Sequence, residues 1–123
     1  MHHIKNKNSN VTVIEGDIFY VIYDKGVVIK VADFEETESA YQKLSQGKKM
    51  KFLVEFPKFV SATAEARKWA ELNQVDAYSE AIIFYNLGQK MLIRFYLLFR
   101  KQTHPVRTFS KREMAIEWLK SMN

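Results

Sequence analysis

The fold is decided by a short, almost wholly apolar segment, Phe52-Leu53-Val54-Glu55-Phe56, which Pro57 follows at once. Such a segment is typical of a strand buried on both faces of a sheet. Pro57 ends the hydrogen-bonded part of this strand because proline has no backbone N–H to donate. A second segment of this kind is Ala81-Ile82-Ile83-Phe84-Tyr85. The sequence therefore predicts a central strand and a second buried strand.

Each buried strand is followed by a segment with helical periodicity. After the first strand, Ser61 is predicted to cap a helix, and after the second, Asn86 with Gln89 has the reciprocal capping pattern. A last strand, Val106 to Phe109, precedes a closing helix that Ser110 caps together with Glu113, and this helix places the following residues on one stripe: Met114, Ala115, Trp118 and Leu119. Alternating strands and helices predict a mostly parallel sheet with right-handed crossovers.

The N-terminal part predicts an antiparallel edge. Val11 to Tyr23 is rich in β-branched and aromatic residues with a turn at Glu15-Gly16-Asp17, which indicates a hairpin, and Val27 to Val31 is a further short β segment. Asp33 with Glu36 predicts the start of a helix from about Phe34 to Gln46, ended by Gly47.

We predict an α/β fold: a mostly parallel sheet of four to five strands with an N-terminal antiparallel hairpin and about four helices. Residues 1–10 are expected to be a disordered or frayed lead-in, and residues 11–123 a single domain.

Length and composition favour one globular core. The chain has 123 residues, of which 47% are hydrophobic and 27% charged, close to the average for globular domains. The absence of cysteine excludes disulfides, thiolate nucleophiles and cysteine-ligated metals, and we expect a cytoplasmic protein. The longest apolar stretches fall far short of the roughly 20 residues that span a bilayer, so no membrane insertion is expected.

The formal charge of +5 raises the question of nucleic acid, since lysine and arginine neutralise phosphates. The basic excess is concentrated in the last third of the chain, and the residues that such a surface would use are Arg100, Lys101, Arg107, Lys111 and Arg112. This uneven distribution disfavours a nucleic-acid partner.

The sequence shows no catalytic, cofactor-binding or metal-binding constellation. His2 and His3 lie in the terminal segment, and His104 stands in a turn, where we predict an ordinary loop residue. No glycine-rich phosphate loop or nucleophile elbow occurs. We therefore expect a protein that is not an enzyme and needs no cofactor.

Several segments together resemble a known family. In chain order they are Glu15-Gly16-Asp17-Ile18, Phe52-Leu53-Val54-Glu55-Phe56, Ala64-Glu65-Ala66-Arg67, Ala81-Ile82-Ile83, Pro105-Val106-Arg107-Thr108-Phe109 and Ala115-Ile116-Glu117-Trp118-Leu119. They resemble the uncharacterised bacterial STAS-like group, which is related in fold to anti-sigma-factor antagonists of the SpoIIAA type. The resemblance implies a STAS-like fold and a protein-interaction or regulatory role without cofactors.

The resemblance also points to one regulatory position. In the antagonists a phosphorylatable serine follows a central strand at the start of the next helix, and here that place is occupied by Val60-Ser61-Ala62-Thr63. The Asp-Ser-Ser or Asp-Ser-Gly run of the antagonists is absent. Ser61 and Thr63 are therefore either helix caps or regulatory hydroxyls, and Arg67, one turn on, is either a solvated helix residue or part of an anion-binding corner.

The predicted helix from Leu87 to Arg100 is apolar around most of its circumference. One interpretation is deep burial within the monomer. The other is a subunit interface of a homodimer or tetramer, with Phe95, Tyr96 and Phe99 as anchors, because so small a chain has little interior to cover this helix.

Two functions follow from these patterns. The first is a non-catalytic regulatory or protein-interaction domain that forms a homo-oligomer and binds a protein partner. The alternative is a domain that binds a small anionic or lipid-like ligand near the helix starts at Ser61 and Asn86, aided by Arg67 or Lys90.

Overall fold

The computed structural model describes residues 3–101 and 103–122. Strands and helices alternate along most of this range. In chain order they are β1 (His3–Lys5), β2 (Ser9–Ile14), β3 (Ile18–Tyr23), β4 (Val28–Ile29), α1 (Val31–Ser45), β5 (Met50–Glu55), β6 (Ser61–Ala62), α2 (Ala64–Leu72), β7 (Ala77–Ile83), α3 (Leu87–Phe99), β8 (Val106–Phe109) and α4 (Arg112–Ser121).

The main sheet has the strand order β1-β2-β3-β5-β7-β8. The first two pairings are antiparallel, and the pairings of β3 with β5, β5 with β7 and β7 with β8 are parallel. The central strand β5 places Val54 beside Val21 of β3 and Ile82 of β7. The predicted α/β fold, with its mostly parallel sheet, its antiparallel hairpin and its four helices, is confirmed. The sheet has six strands rather than the four to five predicted.

The additional strand comes from the segment expected to be frayed. Within residues 3–10, β1 pairs antiparallel with β2, with Ile4 opposite Val11, and β2 already begins at Ser9. Ile4 is partly buried and packs against the hydrophobic core, and Asn8 Nδ2 donates a hydrogen bond of 2.8 Å to Asp33 Oδ1. The expectation of a frayed lead-in is wrong for these residues, because strand pairing, the packing of Ile4 and the hydrogen bond of Asn8 hold them on the domain. Met1 and His2 lie outside the described residues.

The helices lie on both faces of the sheet. On one face Phe19, Tyr41 and Phe52 form an aromatic cluster in the larger core, with ring centroids of Phe19 lying 5.0 Å from Tyr41 and 5.3 Å from Phe52. On the other face Leu53 belongs to a second core with Leu119 of α4. Successive residues of a strand point to opposite faces, so β5 contributes to both cores. Helices α1 and α3 cover the first face, and α2 packs on α1 through the stacked rings of Trp69 and Phe34.

The segment Val27–Val31, predicted as one β stretch, divides between two elements. Only Val28 and Ile29 are a strand, β4, which pairs in parallel with β6 in a separate two-stranded sheet. Helix α1 then begins at Val31, three residues before the predicted start. Asp33 is not its cap: it lies inside the first turn, where its Oδ2 accepts a hydrogen bond of 2.9 Å from the backbone N–H of Lys30.

The predicted caps of two later helices also differ from the structure. Ser61 is paired in β6, where its backbone N–H donates to Val27 O, and the cap of α2 is Thr63, whose Oγ1 accepts from the N–H of Ala66 at 3.0 Å. The cap position of α4 is held by Lys111 with no side-chain hydrogen bond, not by Ser110. Only the prediction for α3 is confirmed, since Asn86 Oδ1 accepts from the N–H of Gln89 at 2.9 Å.

Candidate functional site

Helix α3 exposes a stripe of large apolar side chains on its outer side. The residues are Leu87, Met91, Leu92, Phe95, Leu98 and Phe99, which we call the α3 face; each is between 56% and 79% exposed. Four of them follow i, i+4 spacing, from Leu87 through Met91 and Phe95 to Phe99, which aligns them along one side of the helix. No residue of α3 is fully buried. Burial within the monomer, one of the two interpretations of this helix, is therefore wrong for the α3 face.

The three proposed interface anchors do not lie on the same side of α3. Phe95 and Phe99 are adjacent and exposed, with ring centroids 5.0 Å apart in an edge-to-face arrangement. Tyr96 points inward, where its hydroxyl donates a hydrogen bond of 3.2 Å to the carbonyl of Ala70 on α2. The structure thus brings Phe95 and Phe99 together and assigns Tyr96 to the contact between α3 and α2.

The inner side of α3 is held to the rest of the protein by few contacts. Ile93 and Leu97 are partly buried against the larger core. At the start of the helix, Gln89 Nε2 donates to the carbonyl of Pro57 at 3.0 Å and lies 3.4 Å from that of Val60. Helix α3 is therefore tied to the loop after β5 at one end and to α2 in its second half.

A cavity of about 200 Å³ lies between α3, α2, α1 and the sheet. Most of its lining is apolar, and the lining includes Phe34, Val54, Ile82 and Ile93. Such a lining, with a few polar groups, is typical of pockets that bind small molecules.

The polar end of this cavity contains a buried charged cluster. Glu80 of β7 accepts hydrogen bonds from Arg100 Nη2 at 2.9 Å and Nη1 at 3.3 Å, and its Oε1 lies 2.9 Å from His104 Nε2. Burial alone would raise the pKa of Glu80, but its hydrogen bonds with His104 and Arg100 and the charge of Arg100 outweigh burial and hold that pKa below the ordinary value of 4.5. Arg100 Nη1 also lies 3.4 Å from the hydroxyl of Tyr96, so the cluster fixes the end of α3.

Sequence reasoning missed this cluster. His104 is buried rather than an ordinary loop residue, and Arg100 is buried rather than part of a basic surface. The available signal was Glu80, which immediately precedes the apolar segment of β7, because a carboxylate in a buried strand requires a charged or hydrogen-bonding partner.

A second buried carboxylate, Glu55, lies at the end of β5. It accepts hydrogen bonds from the hydroxyls of Tyr20 and Tyr85 and two more, both of 3.1 Å, from Arg112 of α4. Burial would raise the pKa of Glu55, and the bonds from Arg112 and the two tyrosines lower it below 4.5. Because both carboxylate oxygens are engaged by side chains of the protein itself, the cluster ties elements together and offers no vacant acceptor.

The candidate regulatory corner is only partly assembled. Thr63 uses its hydroxyl as the helix cap, and Arg67 Nη1 donates a hydrogen bond of 2.6 Å to the carbonyl of Ala62. Ser61 is exposed at the cavity rim. Lys90, the other cation considered near a helix start, lies with Nζ 5.5 Å from the centroid of the Phe84 ring.

The basic residues considered for nucleic acid do not form one surface of free cations. Arg100 is paired with Glu80, and Arg112 is paired with Glu55. Lys101, Arg107 and Lys111 are exposed.

Among residues 3–101 and 103–122, no group of three or more histidine, aspartate or glutamate residues could hold a metal ion. No helix within the same described ranges is long and apolar enough to cross a membrane.

Comparison with solved structures supports the predicted fold. An uncharacterised protein of the DUF3478 family from Shewanella loihica PV-4, described as having a SpoIIAA-like fold, matches with a TM-score of 0.61 and 18% identity, over 94% of this chain and 98% of that one. This likeness confirms the SpoIIAA-like fold predicted from the sequence. A protein of unknown function from Arthrobacter sp. FB24 matches with a TM-score of 0.35 and 18% identity, over 97% of this chain and 98% of that one.

Comparison of the sequence itself gave one family match. No curated protein matches it. The profile of a family described as a domain of unknown function, DUF7793, matches residues 12–123.

Proposed function

The chain belongs to the DUF7793 family, a domain of unknown function, and we propose that it acts as a non-catalytic regulatory or protein-interaction domain that self-associates through the α3 face. The observation that carries the proposal is the exposure of six large apolar side chains along one helix. Contiguous apolar patches on a soluble domain mark interaction sites, since their exposure to water is unfavourable.

A second copy of the chain fits the α3 face well. The six side chains of the α3 face are all apolar, and Arg94, which is exposed one turn from Met91 and Leu98, lies at their edge, so a two-fold axis would bring apolar surface against apolar surface and leave this charge at the rim. Phe95 lies near the middle of α3 and would approach its own copy across such an axis. Aromatic side chains near the centre of an interface commonly dominate its binding energy, and we assign this role to Phe95 and Phe99.

The test is the molar mass in solution. Light scattering coupled to size-exclusion chromatography, at tens of micromolar protein, is expected to give a dimer or tetramer for the wild type and a monomer for Phe95→Glu. The matched control is Met114→Glu, because Met114 is similarly exposed but lies on α4, on the opposite face of the sheet. A monodisperse wild-type monomer contradicts the proposal.

The same variants separate self-association from a lipid partner. Cosedimentation with vesicles of anionic phospholipid tests whether the apolar stripe, with Lys90 and Arg94 on the same helix, docks on a membrane surface instead. If the wild type is a monomer that sediments with the vesicles, and Phe95→Glu abolishes this binding, then docking on a lipid surface replaces self-association as the proposed role of the α3 face.

A further inference from the structure

The cavity beneath α3 is large enough for a small molecule. This space is partly open to solvent, and its volume of about 200 Å³ is comparable to the roughly 150 Å³ of an enclosed, engineered apolar cavity that binds benzene. Because apolar walls offer water few hydrogen bonds, an apolar molecule entering this space would displace water that is poorly held.

One polar group at the end of the cavity is unsatisfied. The side chain of Arg100 is only 4% exposed, and Arg100 lines the cavity. Its Nη1 and Nη2 donate to Glu80, whereas its Nε has no hydrogen-bond partner within the part of the chain that the structure describes. A buried donor without an acceptor is costly and rare, so a ligand oxygen that reaches Arg100 Nε, once the side chains that cover this atom have shifted, would be stabilised.

The charges at this end favour an uncharged acceptor. Arg100 and Glu80 neutralise each other at 2.9 Å. A bound anion at Arg100 would bring a second negative charge next to the Glu80 carboxylate, which Arg100 already neutralises; Arg67, the other guanidinium of the lining, donates to the carbonyl of Ala62. A carbonyl or ether oxygen accepts the same hydrogen bond without that repulsion.

We infer that the cavity between α3 and the sheet binds a small, uncharged, largely apolar molecule that carries one hydrogen-bond-accepting oxygen, which Arg100 Nε recognises. The cavity includes Ser61 and Arg67, which were considered from the sequence, but its polar end is formed by Arg100, and the inferred ligand is uncharged rather than an anion. The inference does not depend on self-association, because Leu92 alone belongs both to the cavity lining and to the α3 face.

Three probes of similar size separate the possible ligand classes. Acetophenone carries a neutral carbonyl, ethylbenzene has no acceptor, and benzoate carries a charge. In titrations followed by backbone amide chemical shifts, we expect acetophenone to bind about tenfold more tightly than ethylbenzene, the ratio that one hydrogen bond to a charged donor supplies. Benzoate is expected to bind weakest. No binding of any probe at millimolar concentration overturns the site, and benzoate binding tightest overturns the ligand class.

A cavity-filling variant locates the site without disturbing the buried ion pair. Ala70 of α2 lines the cavity, so Ala70→Leu is expected to weaken acetophenone binding at least tenfold. Ala64→Leu is the control, because Ala64 lies exposed on the same helix. Unchanged affinity in a folded Ala70→Leu variant places the probe elsewhere and overturns the inference.

Arg100→Lys tests whether Arg100 recognises the oxygen of the ligand. This variant should reduce the preference for acetophenone over ethylbenzene while leaving ethylbenzene binding largely unchanged.

Discussion

Arg112, the first residue of α4, donates two hydrogen bonds to Glu55, the last residue of β5, with both Nε–Oε1 and Nη2–Oε2 distances of 3.1 Å. The guanidinium is about half exposed, whereas the carboxylate is almost fully buried. The pair therefore fixes the start of the closing helix to the central strand, across the face of the sheet that α4 covers.

We predict that Arg112→Ala lowers the free energy of unfolding by about 2–3 kcal/mol, because it leaves a buried carboxylate with only two tyrosine hydroxyls as donors. Arg112→Lys should lower the free energy of unfolding by less, since lysine keeps the positive charge but cannot donate two parallel hydrogen bonds to the carboxylate. Urea denaturation followed by circular dichroism measures both. Lys111→Ala, at the neighbouring exposed position, is the control. Equal stability of Arg112→Ala and wild type would show that the pair is energetically unimportant.

The pH dependence of stability has a definite sign. The pKa values of Glu55 and Glu80 are both held below 4.5 in the folded protein. The folded state consequently binds fewer protons than the unfolded state as the pH falls below about 4.5, and the stability that these groups contribute above that pH is lost as the pH falls through their folded values. Wild type is expected to lose stability in this acid range.

Glu55→Gln isolates the contribution of one carboxylate to this loss. The amide has no proton to gain, so the variant should be less stable than wild type at about pH 7, and the difference should shrink toward about pH 3.5. Urea midpoints across this range measure the difference. Glu117→Gln, at an exposed position of α4, should follow wild type. A stability difference that stays constant with pH contradicts the assignment.

The cap of α2 distinguishes the two hydroxyls of the candidate regulatory corner. Thr63→Ala removes the acceptor for the N–H of Ala66 and should cost about 1 kcal/mol, as is typical for a lost N-cap. Ser61→Ala, in the short strand β6, should change stability by less than about 0.5 kcal/mol. Chemical denaturation of both variants tests the assignment, and the reverse order of their effects would restore Ser61 as the cap.

The fold could be predicted because its strands carry their signal locally. The apolar runs of β5 and β7 and the turn at Glu15-Gly16-Asp17 indicate buried strands and a hairpin without knowledge of their neighbours. Caps were less predictable, since Ser61 and Thr63 both suit a helix start. The choice between them was made by the pairing of β4 with β6, which holds Ser61 in extended conformation.

The candidate site depended on contacts distant in sequence. Glu80 and Arg100 are separated by 20 positions, and Glu55 and Arg112 by 57, so neither pairing leaves a local pattern. The composition of α3 predicted an apolar circumference but not which side the sheet would cover. That depended on Tyr96 and Gln89, whose bonds to α2 and to the loop after β5 orient the helix.

If the α3 face is an interface between copies, thermal stability must depend on protein concentration. Dissociation accompanies unfolding of a self-associated protein, so dilution favours the unfolded chains by mass action, and each tenfold change in concentration contributes about 1.4 kcal/mol per mole of dimer. The wild-type Tm is therefore expected to rise by a few degrees for each tenfold increase in protein concentration, given the usual response of domains of this size.

Phe95→Glu should have a Tm independent of concentration and close to that of dilute wild type, because Phe95 is mostly exposed within one chain. Met114→Glu should keep the wild-type dependence. Differential scanning calorimetry over a hundredfold concentration range measures all three, and a constant wild-type Tm would show that the α3 face remains unpaired in solution.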